Sequence, residues 1–332
     1  MPKALILYDR IVEQGNPDQK DTLVQAHAVG QALADSGWEP VEVPFSLDLA
    51  GFMKTIQSIK PAFVFNLVES VEGHGRLIYL ASALMDLVGV PYTGSKTDSL
   101  YTTSNKRIAK KELVNVGIPT PRSFSEAELK AAPFSLQGCF IVKSTWEHAS
   151  IGLGEDSVVA ASDSRQLLRA LQQRRAGLGG EGFVEAYIEG REFNLSLLAS
   201  RDGPEVLPPA EMRFDGYPPG KLKMLDYRAK WEEDSFECRH TRRNFDFSMS
   251  DRPLLQRLSE LARRCWSLFE IRGYARVDFR VDEKNRPWVL EINANPCLSP
   301  DAGFIAAIDR AGIPYCRMVE RILEDSGIEK GI

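Results

Sequence analysis

Residues 274–295 read YARVDFRVDEKNRPWVLEINAN, and this stretch decides the fold of the chain. Apolar and polar residues alternate with period two in its first part, from Tyr274 to Asp282, and again from Trp288 to Asn295. Such alternation predicts two half-buried strands. The polar residues 282–286 and Pro287 lie between them and suit a hairpin loop. The stretch therefore predicts a β-hairpin with one apolar and one polar face.

The register of this hairpin follows from keeping the apolar residues on one side. We expect Val281 to lie opposite Trp288, which places Asp278 opposite Glu291. The apolar side then consists of Ala275, Val277, Phe279, Val281, Trp288, Leu290 and Ile292. The polar side carries two directly opposed carboxylates, which repel each other unless a positive charge lies between them.

The polar side also brings Arg276 opposite Asn293 in the same register. Carboxylate and amide oxygens suit Mg²⁺, which typically takes one or two carboxylates together with nucleotide phosphates. An ordinary amphipathic hairpin with a solvated outer face is the alternative. The order Arg-x-Asp, turn, Glu-x-Asn favours a metal–nucleotide site over that alternative.

This hairpin resembles the closing motif of the ATP-grasp ligases, especially the D-alanine–D-alanine ligase group. The resemblance rests on RVDFRVD at residues 276–282 and LEINANP at residues 290–296. It implies ATP as the nucleotide. It also implies that Asp278, Glu291 and Asn293 bind two Mg²⁺ ions, with Mn²⁺ as a substitute, and that Arg276 stabilises the reacting acyl and phosphoryl groups.

The composition is that of a soluble globular protein. The 332 residues are 43% hydrophobic and 26% charged, with a net charge of −5. This charge gives no reason to expect nucleic acid or an anionic membrane as a partner, and no apolar run approaches membrane-spanning length. The five cysteines are scattered and form no C-x-x-C pair. Neither a zinc site nor a disulfide framework is indicated, and reduced thiols fit a cytoplasmic protein.

The N-terminal part alternates strands and helices, an order that predicts a parallel sheet with right-handed crossovers. The segments that read as strands are 3–8, 39–43 and 62–67. Ligands of such sheets bind beyond the carboxyl ends of the strands, where Asn66, Glu69 and Glu72 lie. A role as solvated loop residues stays equally open. The family's N-terminal glutamate, which holds the amine of the first substrate, is not evident here, and Glu13, Glu69 and Glu72 are the candidates to replace it.

Two lysines of the middle part resemble phosphate-binding residues of the same family. Lys106 follows an asparagine where the family has an Asp-Lys pair. Lys143 ends the apolar strand FIVK at 140–143, where an unpaired lysine is unusual. The loop HASIG at 148–152 follows, where the family has Gly-Ser-Ser-x-Gly as a flexible phosphate lid. The resemblance places both lysines on the nucleotide phosphates and makes Ser150 of the lid a catalytic residue.

Residues 183–194 read FVEAYIEGREFN and resemble the hinge of the same ligases, Val-Glu-x-x-Ile-x-Gly-Arg-Glu. The resemblance implies that Glu185, Tyr187 and Ile188 read the adenine edge. It also implies that Glu192 accepts hydrogen bonds from the ribose hydroxyls, and a carboxylate is a strong acceptor for such a diol.

The substrate side departs from the family pattern in several places. Lys230 matches a lysine that touches phosphate or a substrate carboxylate, but the neighbouring family tyrosine is Trp231 here. Cys297 replaces a glycine whose N–H helps to hold the reacting oxygen. The serine that binds the second alanine's carboxylate falls on Ala302, next to Asp301. These changes remove hydroxyl donors and add an acid, so we expect an acceptor other than D-alanine. The candidate substrate residues are Glu69, Trp231, Cys297 and Asp301.

The resemblance as a whole predicts an ATP-grasp fold, of the α/β and α+β classes, with an N-terminal Rossmann-like parallel-sheet domain. The expected domains are 1–98 (N-terminal α/β domain), 99–186 (central α+β lid domain) and 187–332 (C-terminal domain with the metal-binding hairpin). Catalysis is expected to involve Arg276, Lys230 and Ser150.

The predicted reaction joins a small-molecule carboxylate to an amine. ATP phosphorylates the carboxylate, the amine attacks the acyl phosphate, and ADP and phosphate leave. Three alternatives stay open: D-alanine–D-alanine ligase itself, an ATP-binding or regulatory protein of this fold without catalysis, and an enzyme that passes the acyl group to another nucleophile such as a thiol. A homodimer is also left open.

Overall fold

The computed structural model describes residues 1–11, 17–131, 133–148 and 150–328. Within these ranges the chain forms three β-sheets with helices packed around them. Glu13, a candidate for holding a substrate amine, lies outside the described residues. The domain boundaries expected at residues 98 and 186 stay a prediction.

The first sheet is parallel, which confirms the pattern read from the N-terminal sequence. Its strands are β1 (Lys3–Asp9), β2 (Glu39–Phe45) and β3 (Phe63–Asn66), with β1 in the middle. Helix α1 (Pro17–Asp35) connects β1 to β2, and helix α2 (Leu49–Ile59) connects β2 to β3. Residues 4–7 of β1 and all of β3 are buried, as expected where helices cover a parallel sheet.

Three helices follow β3, namely α3 (Tyr79–Val88), α4 (Thr97–Ser104) and α5 (Lys106–Asn115). The break between α4 and α5 lies at Asn105, whose backbone is extended. Its Oδ1 accepts hydrogen bonds of 3.0 Å from the N–H groups of Arg107 and Ile108 and so caps α5. Lys106 is therefore the first residue of α5, and its side chain is buried.

The second sheet is antiparallel and occupies the middle of the chain. Its strands are β4 (Ser123–Ser125), β5 (Ser135–Ser144), β6 (Val158–Asp163) and β7 (Gly182–Ala186), in the order β4-β7-β5-β6. Helices α6 (Glu126–Ala131) and α7 (Ser164–Arg174) pack on it through a small apolar core. The loop of residues 145–154, called the lid loop below, leaves β5 and leads toward β6.

The third sheet is antiparallel and carries the hairpin with which the sequence analysis began. Its strands are β8 (Arg191–Leu198), β9 (Glu205–Val206), β10 (Ala210–Phe214), β11 (Thr241–Asn244), β12 (Tyr274–Val281) and β13 (Pro287–Asn293). The order is β11-β10-β8-β12-β13, and β9 pairs with β8. Thus β12 lies between β8 and β13.

The hairpin contains a β-bulge, so the predicted register holds on one side of the bulge and fails on the other. Arg276 pairs with Asn293 and Asp278 with Glu291, as predicted, but the register then shifts by one residue. Val281 faces Pro287 rather than Trp288, so that part of the prediction is wrong. A bulge leaves one extra residue on one strand and changes which side its neighbours face.

The extra residue is Leu290. Because of it, Val289 takes the place on the apolar side of the sheet that was predicted for Leu290. Val289 is fully buried in the same core as Ile292. Leu290 instead lines a cleft on the polar side of the sheet. Trp288 donates its indole N–H to Asp282 of the hairpin loop at 3.2 Å and is only partly buried. The prediction that Trp288 and Leu290 form the apolar side is therefore wrong.

The remaining helices cover the apolar surfaces. Helix α10 (Arg252–Leu268) packs on the apolar side of the third sheet through Leu254, Leu258, Leu261, Ala262 and Cys265. Helices α11 (Gly303–Arg310) and α12 (Tyr315–Asp325) share a core with α1 and the first sheet. Helices α8 (Tyr227–Trp231) and α9 (Phe236–His240) lie between β10 and β11 in the chain. Across the described ranges, no helix has both the length and the apolar character needed to span a membrane.

Because of the bulge, truncating Val289 and truncating Leu290 should lower the free energy of unfolding by different amounts. Val289→Ala removes fully buried methyl groups and should lower the free energy of unfolding by roughly 1.5–3 kcal/mol. Leu290→Ala should cost less, although it removes more atoms, because Leu290 is only partly buried. Denaturant unfolding of the two variants checks this order. A larger loss for Leu290→Ala would support the unbulged register instead.

Candidate active site

A cleft lies between the second and third sheets. Among its lining residues are five of the six predicted nucleotide-binding residues: Lys143, Glu185, Tyr187, Ile188 and Glu192. Apolar side chains complete the lining, including Ile141, Leu153, Met224, Leu225 and Leu290. A mostly apolar slot with a few polar groups at its edge is typical of a small-molecule site.

At the inner end of the cleft, the Glu185 carboxylate is buried between two lysines. Its oxygens lie 2.7 Å from Lys143 Nζ and 2.6 Å from Lys110 Nζ. Burial alone raises the pKa of a carboxyl group, but these two ammonium groups outweigh it and hold the pKa of Glu185 below its ordinary value. The unusual lysine in the apolar strand β5 is thus half of an ion pair.

The hinge between β7 and β8 presents main-chain groups to the same cleft. The Tyr187 N–H donates to Cys139 O at 2.9 Å, which holds the main chain of the hinge against β5. The Tyr187 ring lies under the Arg280 guanidinium, 5.5 Å from its centre, in cation–π geometry.

Glu192, at the start of β8, meets the Arg280 guanidinium from β12. Arg280 Nη2 lies 3.0 Å from Glu192 Oε2, and the Leu225 N–H donates to the same oxygen at 3.3 Å. Arg280 also donates to the carbonyl oxygens of Gly190 and Lys223. These bonds fix the Glu192 side chain at the wall of the cleft.

The polar side of the third sheet brings the predicted metal ligands together. Asp278 and Glu291 are paired across β12 and β13, and Asn293 is two residues beyond Glu291. Arg276 donates two hydrogen bonds to Asp278, at 2.7 and 2.9 Å, and Asn194 of β8 donates a third at 2.7 Å. The negative charge of Asp278 is therefore balanced by Arg276, which lies on the same strand.

Glu291 is balanced by cations from other elements. Its Oε2 lies 3.5 Å from Lys106 Nζ. Burial raises the pKa of Glu291, but Lys106, Lys143 and Lys230 lower it, and the result lies well below the ordinary range of a glutamate. The carboxylate is thus held ionised, which is the form that binds metal.

The three ligand candidates fit Mg²⁺ by their chemistry. They supply carboxylate and amide oxygens on one sheet face, next to lysines that suit phosphates. In the described part of the chain, no three His, Cys, Asp or Glu residues cluster as a metal site, so this set depends on the Asn293 amide.

Two hydrogen bonds from residues outside or within the lid loop hold it in place. Lys106 Nζ donates to Glu147 O at 2.7 Å. Ser150 has φ of +62° and donates its hydroxyl to Leu225 O at 2.8 Å. Lys230, on α8, lies close enough for the charges of Arg276, Glu291 and Asp278 to act on it, and burial together with Arg276 lowers its pKa. Trp231 ends the same helix and is partly buried.

Two of the candidate substrate residues lie in a polar cluster beside Arg276. Gln25 of α1 donates to Glu69 at 3.0 Å, and burial together with Asp9 raises the pKa of Glu69 to about 8. The Cys297 thiol donates to Asp21 at 2.9 Å. Asp301 does not join this cluster through its side chain, which is exposed; its main-chain carbonyl accepts from Arg243 at 3.2 Å.

Comparison with known proteins identifies the family. A family model described as D-ala D-ala ligase C-terminus matches residues 123–324. This chain belongs to that family. The D-alanine–D-alanine ligase of Pseudomonas entomophila is 29% identical over 317 residues, which cover 95% of this chain and 91% of the relative. An uncharacterised Sinorhizobium fredii protein, y4sG, is 28% identical over 285 residues, or 82% of this chain and 80% of that protein.

The fold agrees with solved structures of the same ligase family. The D-alanine–D-alanine ligase of Bacillus anthracis complexed with ATP superimposes with a TM-score of 0.70 at 19% identity, covering 98% of this chain and 97% of that chain. The predicted ATP-grasp fold is confirmed. Family membership classes the chain with the ligases that form C–N bonds.

Sequence reasoning missed several residues of this ligase site. Lys110 follows Lys106 by four residues and therefore lies on the same helix face, a signal that the sequence does contain. Asn194 and Arg280 share the polar face by strand alternation. Asp21 lies 276 residues from Cys297 in sequence, and no local pattern connects them.

The ion cluster around Glu185 predicts unequal effects of removing two adjacent lysines. Lys110→Ala should lower the free energy of unfolding by about 3–5 kcal/mol, because it leaves a buried carboxylate with one partner fewer. The control, Lys111→Ala, removes an exposed lysine from the same helix and should change stability by less than about 0.5 kcal/mol. Chemical denaturation measures both. Equal effects would show that the Lys110–Glu185 contact contributes nothing.

Proposed function

We propose that this protein is an ATP-dependent ligase of the D-alanine–D-alanine ligase type, which joins the carboxylate of an amino acid or related molecule to an amine and releases ADP and phosphate. One observation carries the proposal: the hinge residues and Lys143 line one cleft, and Glu291 of the metal-ligand set lies 3.5 Å from Lys106 and close enough to Lys143 for both charges to lower its pKa. The names of the relatives, and the ATP complex of the Bacillus anthracis structure, support it.

The nucleotide lies with its base in the apolar part of the cleft. The Tyr187 carbonyl and the Ile188 N–H offer one acceptor and one donor to the adenine edge, and Glu185 helps to shape this end. Glu192 accepts from the ribose hydroxyls. Lys143 and Lys106, whose Nζ atoms now contact Glu185 and Glu291, bind the phosphates.

Asp278, Glu291 and Asn293 would bind Mg²⁺, as two ions, with Mn²⁺ as a substitute. The ions would neutralise charge that builds up between the phosphates and the substrate carboxylate. Arg276 is always cationic and cannot be a ligand, so we assign it to the reacting acyl and phosphoryl oxygens. Its two bonds to Asp278 orient it along the polar face of β12.

The reaction has two steps. A carboxylate oxygen of the first substrate attacks the terminal phosphorus, and the bond from that phosphorus to ADP breaks. The amine of the second substrate then attacks the carbonyl carbon, loses a proton, and phosphate leaves. Ser150 and the rest of the lid loop close over the phosphates, and Lys230 contacts the phosphate or the substrate carboxylate. The expected domains place this chemistry between residues 99–186 and 187–332.

The second substrate is an amine other than D-alanine. The Cys297 thiol and the Ser299 hydroxyl both donate to Asp21, and Glu69 lies beside this group. A carboxylate-bearing acceptor would meet the Asp21 carboxylate, and burying like charges together is costly. D-alanine remains the alternative acceptor, and the names of the relatives favour it.

A screen of amino acid pairs tests the proposed function. Purified protein with Mg²⁺, ATP and pairs of carboxylate and amine substrates should release ADP only when an acceptor amine is present. Product analysis by mass spectrometry then identifies the amide. Binding of ATP without turnover across the whole screen would contradict the ligase. Formation of D-alanyl-D-alanine at several turnovers per second would contradict the choice of acceptor alone.

The metal assignment makes a separate prediction. Glu291→Gln keeps the shape of the side chain but removes the charge, and it should abolish turnover, with a loss of at least about 10²-fold in kcat. The variant should still fold, although Lys106 loses its charged partner, and circular dichroism checks this. Glu283→Gln, in the exposed hairpin loop, is the matched control and should keep full activity. An active Glu291→Gln enzyme would show that Glu291 is not a metal ligand.

A further inference from the structure

The His148 imidazole is the least explained polar group of the site. It lies in the lid loop, and its Nε2 atom is buried without a hydrogen-bond partner among the described residues. Buried polar atoms are nearly always paired, because an unpaired one has lost its hydrogen bonds to water without replacing them. The Thr145 hydroxyl of the same loop is unpaired as well within the described ranges, so the lid loop carries two buried polar groups that a ligand could satisfy.

The position of this imidazole is fixed by its neighbours. The carbonyl of the preceding residue, Glu147, accepts from Lys106 Nζ at 2.7 Å, and the Glu147 carboxylate accepts from the Gly75 N–H at 3.3 Å. A side chain at Gly75 would come within 2.8 Å of the Trp146 carbonyl and 3.4 Å of His148 Cδ2. Glycine at this position thus allows the lid loop to approach and hold the ring in place.

The charges around His148 are those of an anion site. Lys106, Arg276 and Lys230 act on the ring as cations, and Glu291 is the one acid among its main electrostatic neighbours. Burial and these cations lower the pKa of His148 to about 3. The ring is therefore neutral at pH 7 and carries one N–H donor.

We propose that His148 donates its Nε2–H to an oxygen of the terminal phosphoryl group of bound ATP, and so distinguishes the triphosphate from the diphosphate. This inference rests on the proposed function. The three cations attract an anion to the ring, and phosphoryl oxygens offer only acceptors, so the matching group is a donor. The resembling ligases have glycine at this place in the lid, so the contact belongs to this chain.

Calorimetric binding tests the contact without relying on turnover. The titrants are ADP and the β,γ-imido analogue of ATP, each with Mg²⁺. H148L should bind the analogue about tenfold more weakly than the parent and bind ADP within about twofold. H148Q keeps a neutral N–H donor and should bind the analogue within about threefold of the parent. H27Q changes an exposed histidine and serves as the control.

Each result has a clear meaning. Equal losses for ADP and the analogue, or no loss for either, contradict a contact with the terminal phosphoryl group. An H148Q variant as weak as H148L contradicts the donor role. If the parent protein binds neither nucleotide, the proposed function itself fails, whereas normal binding and turnover by both H148L and the parent overturn only the role of His148.

Discussion

The site depends on the ion pairs that the buried Glu185 carboxylate forms with two lysines. This carboxylate joins Lys110 of α5 to Lys143 of β5, and Lys110 also donates to Thr120, whose hydroxyl donates in turn to the Val289 carbonyl on β13. One chain of contacts therefore ties the second sheet to the hairpin of the third sheet. Removing charges from water is costly, so this arrangement is stable only because each charge has close partners.

A second constraint is charge balance at the polar face. In the structure, Asp278 is paired with Arg276, and Glu291 lies beside Lys106. The same cations are the groups that we assign to phosphates and reacting oxygens. A bound metal and nucleotide would therefore share partners that already lie in place, and little rearrangement of the face is needed. Such preorganised charges are the main source of electrostatic stabilisation in enzymes.

The sequence carries enough information for the outline of the fold and for the pairing of the two acids. Period-two alternation requires the apolar residues of β12 and β13 to share a side, and this places Asp278 opposite Glu291. It does not reveal the bulge, because a shift of one residue still gives an apolar side, now with Val289 in place of Leu290. The bulge matters because it turns Leu290 into the cleft.

Other parts of the site depend on tertiary contacts that no local pattern encodes. Lys143 is recognisable in the sequence as an unusual residue of an apolar strand. Its partner, Glu185, lies on β7, and only the folded sheet brings β7 next to β5. The pairing of Asp21 with Cys297 depends on how α1 packs on the residues after β13. The family resemblance supplies roles for the nucleotide residues, whereas the orphaned His148 nitrogen emerges from the packing of the lid loop alone.

A crystal structure with Mn²⁺ and the β,γ-imido analogue of ATP tests the central claim most directly. The account predicts an anomalous manganese signal bounded by Asp278, Glu291 and Asn293, with the adenine against the main chain of Tyr187 and Ile188. A nucleotide bound elsewhere, or a metal bound without contact to these three side chains, would contradict the account.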